Sequence, residues 1–100
     1  DLASAVLAND IHADTLLILT DVPCAYLNYR RAGQKALRNI TAEEAKHYLL
    51  ADQFEEGSMK PKIEAALKFL TKKGRKVIIT SPDQLVKALL GKSGTMITFR

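Results

Sequence analysis

The chain has 100 residues, of which 47% are hydrophobic and 26% charged, as expected for one soluble globular unit with a single modest core. No apolar run is long enough to span a membrane, no signal peptide is visible, and the single cysteine excludes an internal disulfide, so we expect a cytoplasmic protein. The net charge is +4, and the sequence opens with Asp1 rather than methionine, so we expect more protein upstream.

The first two predicted elements are a helix and a buried strand. Asp1 can cap a helix that runs to Ile11 with apolar residues on both sides. Residues 15–20 are a continuous apolar run without polar alternation, which favours a central strand of a mostly parallel sheet. Thr20 and Asp21 end this strand, where open α/β sheets bind ligands. A simple turn is the alternative, because Asp-Val-Pro also favours turns.

A short strand, a turn and a helix are predicted next. Residues 25–29 resemble a strand, and the ring of Tyr26 within it can either contact a base or pack in the core. The sequence Arg-Arg-Ala-Gly at residues 30–33 predicts a tight, solvated turn. The capping box Thr-Ala-Glu-Glu opens a helix over residues 41–51.

A phosphate-binding helix start is predicted at residues 57–62, Gly-Ser-Met-Lys-Pro-Lys. Gly57 supplies flexibility and Ser58 a cap, so that free N–H groups, the helix dipole and the Lys62 ammonium point at one place. Many helices begin this way for capping alone, which is the alternative interpretation. The helix carries one apolar stripe, which fixes it against the sheet and sets where Lys62 points: Met59, Ile63, Ala66, Leu67 and Leu70.

Positive charge is concentrated in this helix and its exit, with seven basic residues and one acid between residues 60 and 76. The two interpretations are an anion site and a solvated helix face. We assign Lys62, and in second place Lys60, to function and the remaining basic residues to the solvated face. Phe69 is the one aromatic residue among these basic ones, so the stretch lacks the repeated aromatic residues that stack on bases, and we expect no nucleic-acid partner. His12 and His47 stand alone, so no metal site is predicted.

Two strands and a helix complete the chain. Residues 76–80 predict a buried strand, and Ser-Pro-Asp-Gln at residues 81–84 is a second capping box before a helix that ends near Leu90. Residues 95–99 predict a short edge strand. The order of helices and strands predicts an α/β fold, a three-layer sandwich with a mostly parallel sheet, in one domain over residues 1–100.

Several stretches resemble carbamate kinases of the amino acid kinase family. They are Asp-Leu-Ala-Ser-Ala at 1–5, Ala-Asp-Thr-Leu-Leu-Ile-Leu-Thr-Asp-Val at 13–22, Tyr-Leu-Asn-Tyr at 26–29, Gly-Ser-Met-Lys-Pro-Lys-Ile-Glu-Ala-Ala at 57–66 and Lys-Ser-Gly-Thr at 92–95. Thr-Asp-Val is shared across the wider family, whereas Gly-Ser-Met-x-Pro-Lys is more specific to carbamate kinases. The resemblance implies the C-terminal, nucleotide-binding portion of that fold, without the N-terminal part that holds most of the carbamate site.

The resemblance also implies a reaction and its partners. Carbamate kinases convert ATP and carbamate to ADP and carbamoyl phosphate, with Mg²⁺ accompanying the nucleotide, and the family links the chain to arginine metabolism. We expect association with the N-terminal part of the same enzyme and a homodimer for the full-length protein. Because half of the site is absent, we expect this chain alone to be inactive.

Residue roles are carried over by position. Lys62 matches the lysine that neutralises charge on the transferring phosphoryl group, and Asp1 matches an aspartate that orients catalytic lysines. The matched nucleotide contacts, besides Lys62, are Thr20, Asp21, Tyr26, Gly57, Ser58 and Met59.

The sequence departs from the carbamate kinase pattern at two places. Lys60 stands where glycine is common, and residues 30–33 replace the usual Gly-Lys-Pro turn. Three other interpretations stay open: a family member that acts on glutamate, acetylglutamate, aspartate or UMP, a non-catalytic nucleotide-binding fragment, and a nucleic-acid binder that uses the basic helix.

Overall fold

The computed structural model describes residues 3–8, 14–72 and 74–99. Five strands come first and are followed by two helices, and the rest of the chain adds a strand, a short 3₁₀ turn at Pro82–Gln84, a helix and a last strand. In chain order they are β1 (Ala3–Ala8), β2 (Asp14–Leu19), β3 (Tyr26–Leu27), β4 (Lys35–Ala36), β5 (Asn39–Thr41), α1 (Ala42–Leu50), α2 (Met59–Lys72), β6 (Gly74–Thr80), α3 (Leu85–Leu89) and β7 (Thr95–Thr98).

Five strands form one mixed sheet in the order β1-β2-β6-β7-β5, and β3 and β4 form a separate two-stranded ribbon. The β2–β6 and β5–β7 pairs are parallel, whereas β1–β2 and β6–β7 are antiparallel. The predicted α/β fold is confirmed, and both continuous apolar runs, in β2 and β6, are central strands as predicted. The last predicted strand forms as β7, but its predicted place at the sheet edge is wrong, because β5 pairs with its outer side.

The two faces of the sheet carry different helices, because alternate strand residues point to opposite sides. Ile18 and Val77 lie on the face that packs against Ile63 and Ala66 of α2, and all four are fully buried in the main core. Leu17, Ile78 and Ala88 of α3 form a smaller cluster. Together the helices and the sheet make the three predicted layers. None of the helices in the described ranges has the length and apolar character to cross a bilayer.

The helix predicted from Asp1 to Ile11 is wrong for the described part of that segment. Residues Ala3–Ala8 form β1, which pairs antiparallel with β2 in a register that places Ala3 opposite Leu19. A short isolated helix is marginal in water, whereas pairing satisfies the backbone groups along the free edge of β2. Asp1 and residues 9–13 lie outside the described residues.

The predicted helix caps have different outcomes. At Thr41 the capping box is confirmed, because the Glu44 N–H donates to the Thr41 hydroxyl oxygen and the Thr41 N–H donates to the Glu44 carboxylate. At Ser81 the predicted box is wrong, since the side chain makes no capping hydrogen bond to the backbone. A hydrogen bond from Ser81 instead lowers the pKa of Asp83. Competition from this nearby carboxylate explains the difference.

Two glycines near the end of the chain give a matched test of packing. Gly91 and Gly94 both have φ +78°, so alanine at either position carries a similar backbone strain of about 1 kcal/mol. A Cβ at Gly94 would lie 2.9 Å from the Ile79 carbonyl oxygen, whereas at Gly91 it meets nothing within 4 Å. We expect Gly94→Ala to lower the free energy of unfolding by about 1–2 kcal/mol more than Gly91→Ala, measured by denaturant titration. Equal losses would contradict the close approach.

Candidate functional site

One cavity of about 190 Å³ opens where β2 ends and α2 begins. Its position agrees with the rule that open α/β sheets bind ligands beyond the carboxyl ends of their strands. The cavity is lined by Thr20, Asp21, Val22, Tyr26, Tyr29, Arg30, Glu55, Ser58 and Met59.

The cavity brings together residues from two distant stretches of the sequence. Thr20 and Asp21 directly follow β2, and Ser58 directly precedes Met59, the first residue of α2. Tyr26, from the ribbon strand β3, joins them. Gly57 and Lys62 are not among the lining residues, and Asp1 lies outside the described residues. The structure therefore gathers five of the matched nucleotide contacts and leaves two beside the cavity.

Lys62 lies directly behind the cavity wall. Its side chain is 8% exposed, and its ammonium donates a hydrogen bond of 3.2 Å to the carbonyl oxygen of Ser58, which itself lines the cavity. The bond to Ser58 orients the lysine along the start of its own helix. A phosphate oxygen is a stronger acceptor for an ammonium than this carbonyl oxygen.

Glu55 precedes α2 and accepts hydrogen bonds from residues at the start of that helix. Its backbone carbonyl accepts hydrogen bonds from the N–H groups of Ser58 and Lys60, at 3.3 and 2.9 Å. Its carboxylate also accepts a hydrogen bond from the Ser58 hydroxyl. The backbone N–H groups of Ser58 and Lys60, which are predicted from the sequence to bind phosphate, thus already donate to Glu55.

Gly57 has no conformational or packing role that requires glycine. It is not among the residues with positive φ, and an added Cβ would meet nothing within 4 Å. The open space beside Gly57 leaves room for a ligand to approach the backbone closely.

Tyr26, Tyr29 and Arg30 form a stack along one wall. The ring centroids of Tyr26 and Tyr29 are 5.3 Å apart with a 30° tilt, and the Arg30 guanidinium lies 5.2 Å from the centre of the Tyr29 ring. Burial, and then contact with Cys24, raises the pKa of Tyr26. Tyr26 is half-buried, so one part of its surface packs against the protein while another faces the cavity.

Two buried threonines attach the loop that carries Tyr26 to the sheet. The hydroxyl of Thr95 in β7 accepts a hydrogen bond of 2.8 Å from the Ala25 N–H and donates one of 2.6 Å to the Leu37 carbonyl. The hydroxyl of Thr80 in β6 donates to the Pro23 carbonyl at 3.2 Å. Both threonines are fully buried, so these bonds are shielded from water.

Four cavity residues are missing from the sequence prediction: Val22, Tyr29, Arg30 and Glu55. Val22 directly follows the predicted contacts, and Tyr29 repeats the aromatic character of Tyr26 three residues later, so both had a local signal. Arg30 and Glu55 had no such signal, because solvated turns and acidic loops are common on any surface.

The described residues offer no ready-made metal site. Within residues 3–8, 14–72 and 74–99, no group of three or more His, Cys, Asp or Glu side chains is arranged to hold an ion. Asp21 and Glu55 are the carboxylates that line the cavity.

Comparisons with known proteins identify relatives of the whole chain. The model of the amino acid kinase family matches residues 1–81. The carbamate kinase of Thermoplasma acidophilum is 52% identical over 97 residues, which cover 97% of this chain and 32% of that protein. The carbamate kinase of Trichomonas vaginalis is 43% identical over 97 residues, which cover 97% of this chain and 31% of that protein.

A solved structure shows the same architecture. The carbamate kinase from Giardia lamblia bound to AMP-PNP superimposes with a TM-score of 0.79 at 40% sequence identity, covering 84% of this chain and 27% of that one. The chain thus spans about a third of the length of the relatives that it matches.

We expect Thr95→Val to destabilise the protein by about 2 kcal/mol or more, because it leaves the buried Ala25 N–H and Leu37 carbonyl without a partner. Thr95→Ser is the matched control, since it keeps the hydroxyl and removes only a methyl group, at about 1 kcal/mol. Denaturant unfolding measures both. A valine variant as stable as the serine variant would show that the two hydrogen bonds contribute little.

Proposed function

The chain belongs to the amino acid kinase family, and from this premise we propose that it is the nucleotide-binding part of a carbamate kinase, an enzyme that transfers a phosphoryl group between ATP and carbamate. The supporting observation is the convergence of two stretches on one cavity. The Thr-Asp-Val stretch shared with the wider family supplies Thr20, Asp21 and Val22, and the Gly-Ser-Met-x-Pro-Lys stretch supplies Ser58 and Met59.

The cavity suits one end of a nucleotide. Its volume of about 190 Å³ is below the range of roughly 300–1,000 Å³ for sites that enclose a whole drug-sized ligand. The base and sugar would lie against Tyr26, and the phosphates would extend past Ser58 towards Lys62. Gly57 would let the phosphate chain approach the backbone.

Lys62 is proposed to neutralise the charge on the transferring phosphoryl group. Phosphoryl transfer depends mainly on positioning and on positive charge rather than on a covalent nucleophile. The buried ammonium of Lys62 would supply the positive charge, and its hydrogen bond to the Ser58 carbonyl holds it next to a residue that lines the cavity. Asp1 is proposed to orient catalytic lysines, as the resemblance implies.

The other groups that the reaction needs are proposed to come from outside this chain. Mg²⁺ would be held mainly by phosphate oxygens. The N-terminal part of the same enzyme would hold carbamate or carbamoyl phosphate. We further propose a cytoplasmic homodimer for the full-length protein and a role in arginine metabolism.

Nucleotide binding can be measured directly by calorimetric titration of the chain with ATP and with ADP. We expect Lys62→Met to weaken ATP binding roughly 10- to 100-fold, because it removes a charge-assisted bond to phosphate. Lys68→Met is the matched control, since it removes the same charge from an exposed position of the same helix. Equal effects of the two substitutions would contradict the role of Lys62, and no binding by the unaltered chain would overturn the proposed site.

The reaction can be tested in a chimera in which this chain replaces the matching segment of the Thermoplasma acidophilum relative. We expect ADP formation from ATP that depends on carbamate, and we expect Lys62→Met to lower kcat by about a hundredfold or more. The isolated chain is the negative control and should form no carbamoyl phosphate, because it lacks half of the site. Turnover by the isolated chain would contradict this division of the site. A folded chimera without carbamate-dependent turnover would contradict the proposed activity.

A further inference from the structure

The turn at residues 28–34 holds Arg30 in an uncommon backbone conformation. Arg30 has φ +62° and Asn28 has φ +52°, in the left-handed region that few residues other than glycine adopt. The Arg30 N–H donates a hydrogen bond of 2.8 Å to the Gln34 side-chain oxygen, and the Arg31 N–H donates one of 2.9 Å to the Asn28 carbonyl. These two bonds stabilise the left-handed turn and so fix the direction in which Arg30 leaves the backbone.

Arg30 is the one basic residue among the described residues that line the cavity. The two acidic residues there are Asp21 and Glu55, and Lys62 lies behind the wall. Carboxylates repel phosphate, so a nucleotide in this cavity needs a nearby cation to balance them. By its placement, Arg30 is the residue in the lining that can supply this charge.

The guanidinium of Arg30 lies over an aromatic ring and is still free to bind a ligand. It lies 5.2 Å from the centre of the Tyr29 ring, which in turn contacts the Tyr26 ring. Within the described part of the chain it forms no ion pair and no side-chain hydrogen bond. A guanidinium keeps its planar set of N–H donors when it stacks on a ring, and that geometry matches phosphate oxygens.

We propose that Arg30 binds the phosphate nearest the sugar and thereby makes the cavity select phosphorylated nucleosides over free nucleosides. The inference rests on the proposed nucleotide site, because it assumes a base and sugar beside Tyr26. It assigns Arg30 and Lys62 to different ends of the phosphate chain. The turn that departs from the usual Gly-Lys-Pro sequence thus has a binding role rather than being only a solvated turn.

Titration of the chain with adenosine, AMP and ADP tests this assignment. AMP isolates the phosphate nearest the sugar, because it lacks the terminal phosphates that would meet Lys62. We expect Arg30→Gln to weaken AMP and ADP binding by about tenfold and to leave adenosine binding unchanged. Arg30→Lys should restore only part of the affinity for AMP, because it returns the positive charge without the planar set of N–H donors.

Arg31→Gln is the matched control. It removes the same charge from the neighbouring exposed residue, which does not line this cavity, and we expect no change in AMP affinity. Thermal unfolding of each variant checks that the substitution has not disrupted the fold.

Three results would overturn the role of Arg30. An unchanged AMP affinity in Arg30→Gln would show that Arg30 does not contact the phosphate. Equal losses of AMP affinity in Arg30→Gln and Arg31→Gln would show that only the general positive charge of the surface matters. An equal loss of adenosine binding would show that Arg30 acts only by packing on Tyr29. If the unaltered chain binds none of the three ligands, the nucleotide site itself is wrong, and the assignment of Arg30 fails with it.

Discussion

The hydroxyl group of Thr95 is the contact on which the geometry of the site depends most. It lies fully buried in β7, and it both accepts from the Ala25 N–H and donates to the Leu37 carbonyl. Because a buried hydroxyl without partners is costly, this arrangement holds the loop after β2 and the segment before β5 against the sheet together. Tyr26 sits between these two attachment points. The five-stranded sheet therefore positions the Tyr26 ring in the cavity wall through the bonds of Thr95, although Tyr26 itself belongs to the separate ribbon.

The helix α2 connects packing to chemistry in a similar way. Ile63, Ala66 and Leu70 are buried against the sheet, so the helix cannot rotate without exposing apolar surface. Lys62 belongs to the same helix and is itself buried, with its ammonium on the Ser58 carbonyl. The free energy of core burial thus holds the Lys62 ammonium beside the cavity. An exposed lysine would instead move among many side-chain rotamers.

The charges around the cavity explain why a nucleotide would need several contacts at once. Asp21 and Glu55 place negative charge in the lining, and Glu55 also engages the start of α2. Arg30 also lines the cavity, and Lys62 is bonded to the Ser58 carbonyl beside it. A ligand with a single charge gains from one cation and is repelled by the carboxylates, whereas an extended polyanion can reach both cations.

Local signals in the sequence determined the two central strands, the capping box from Thr41 to Glu44 and the apolar stripe of α2. Each depends on residues a few positions apart, which is the range over which periodicity and capping act. Only the tertiary structure decided that Ala3–Ala8 pairs with β2, that Arg30 and Glu55 face one cavity, and that Lys62 bonds to Ser58 behind its wall. Strand pairing and cavity lining depend on partners distant in the chain, and the free edge of β2 outweighed a marginal helix propensity.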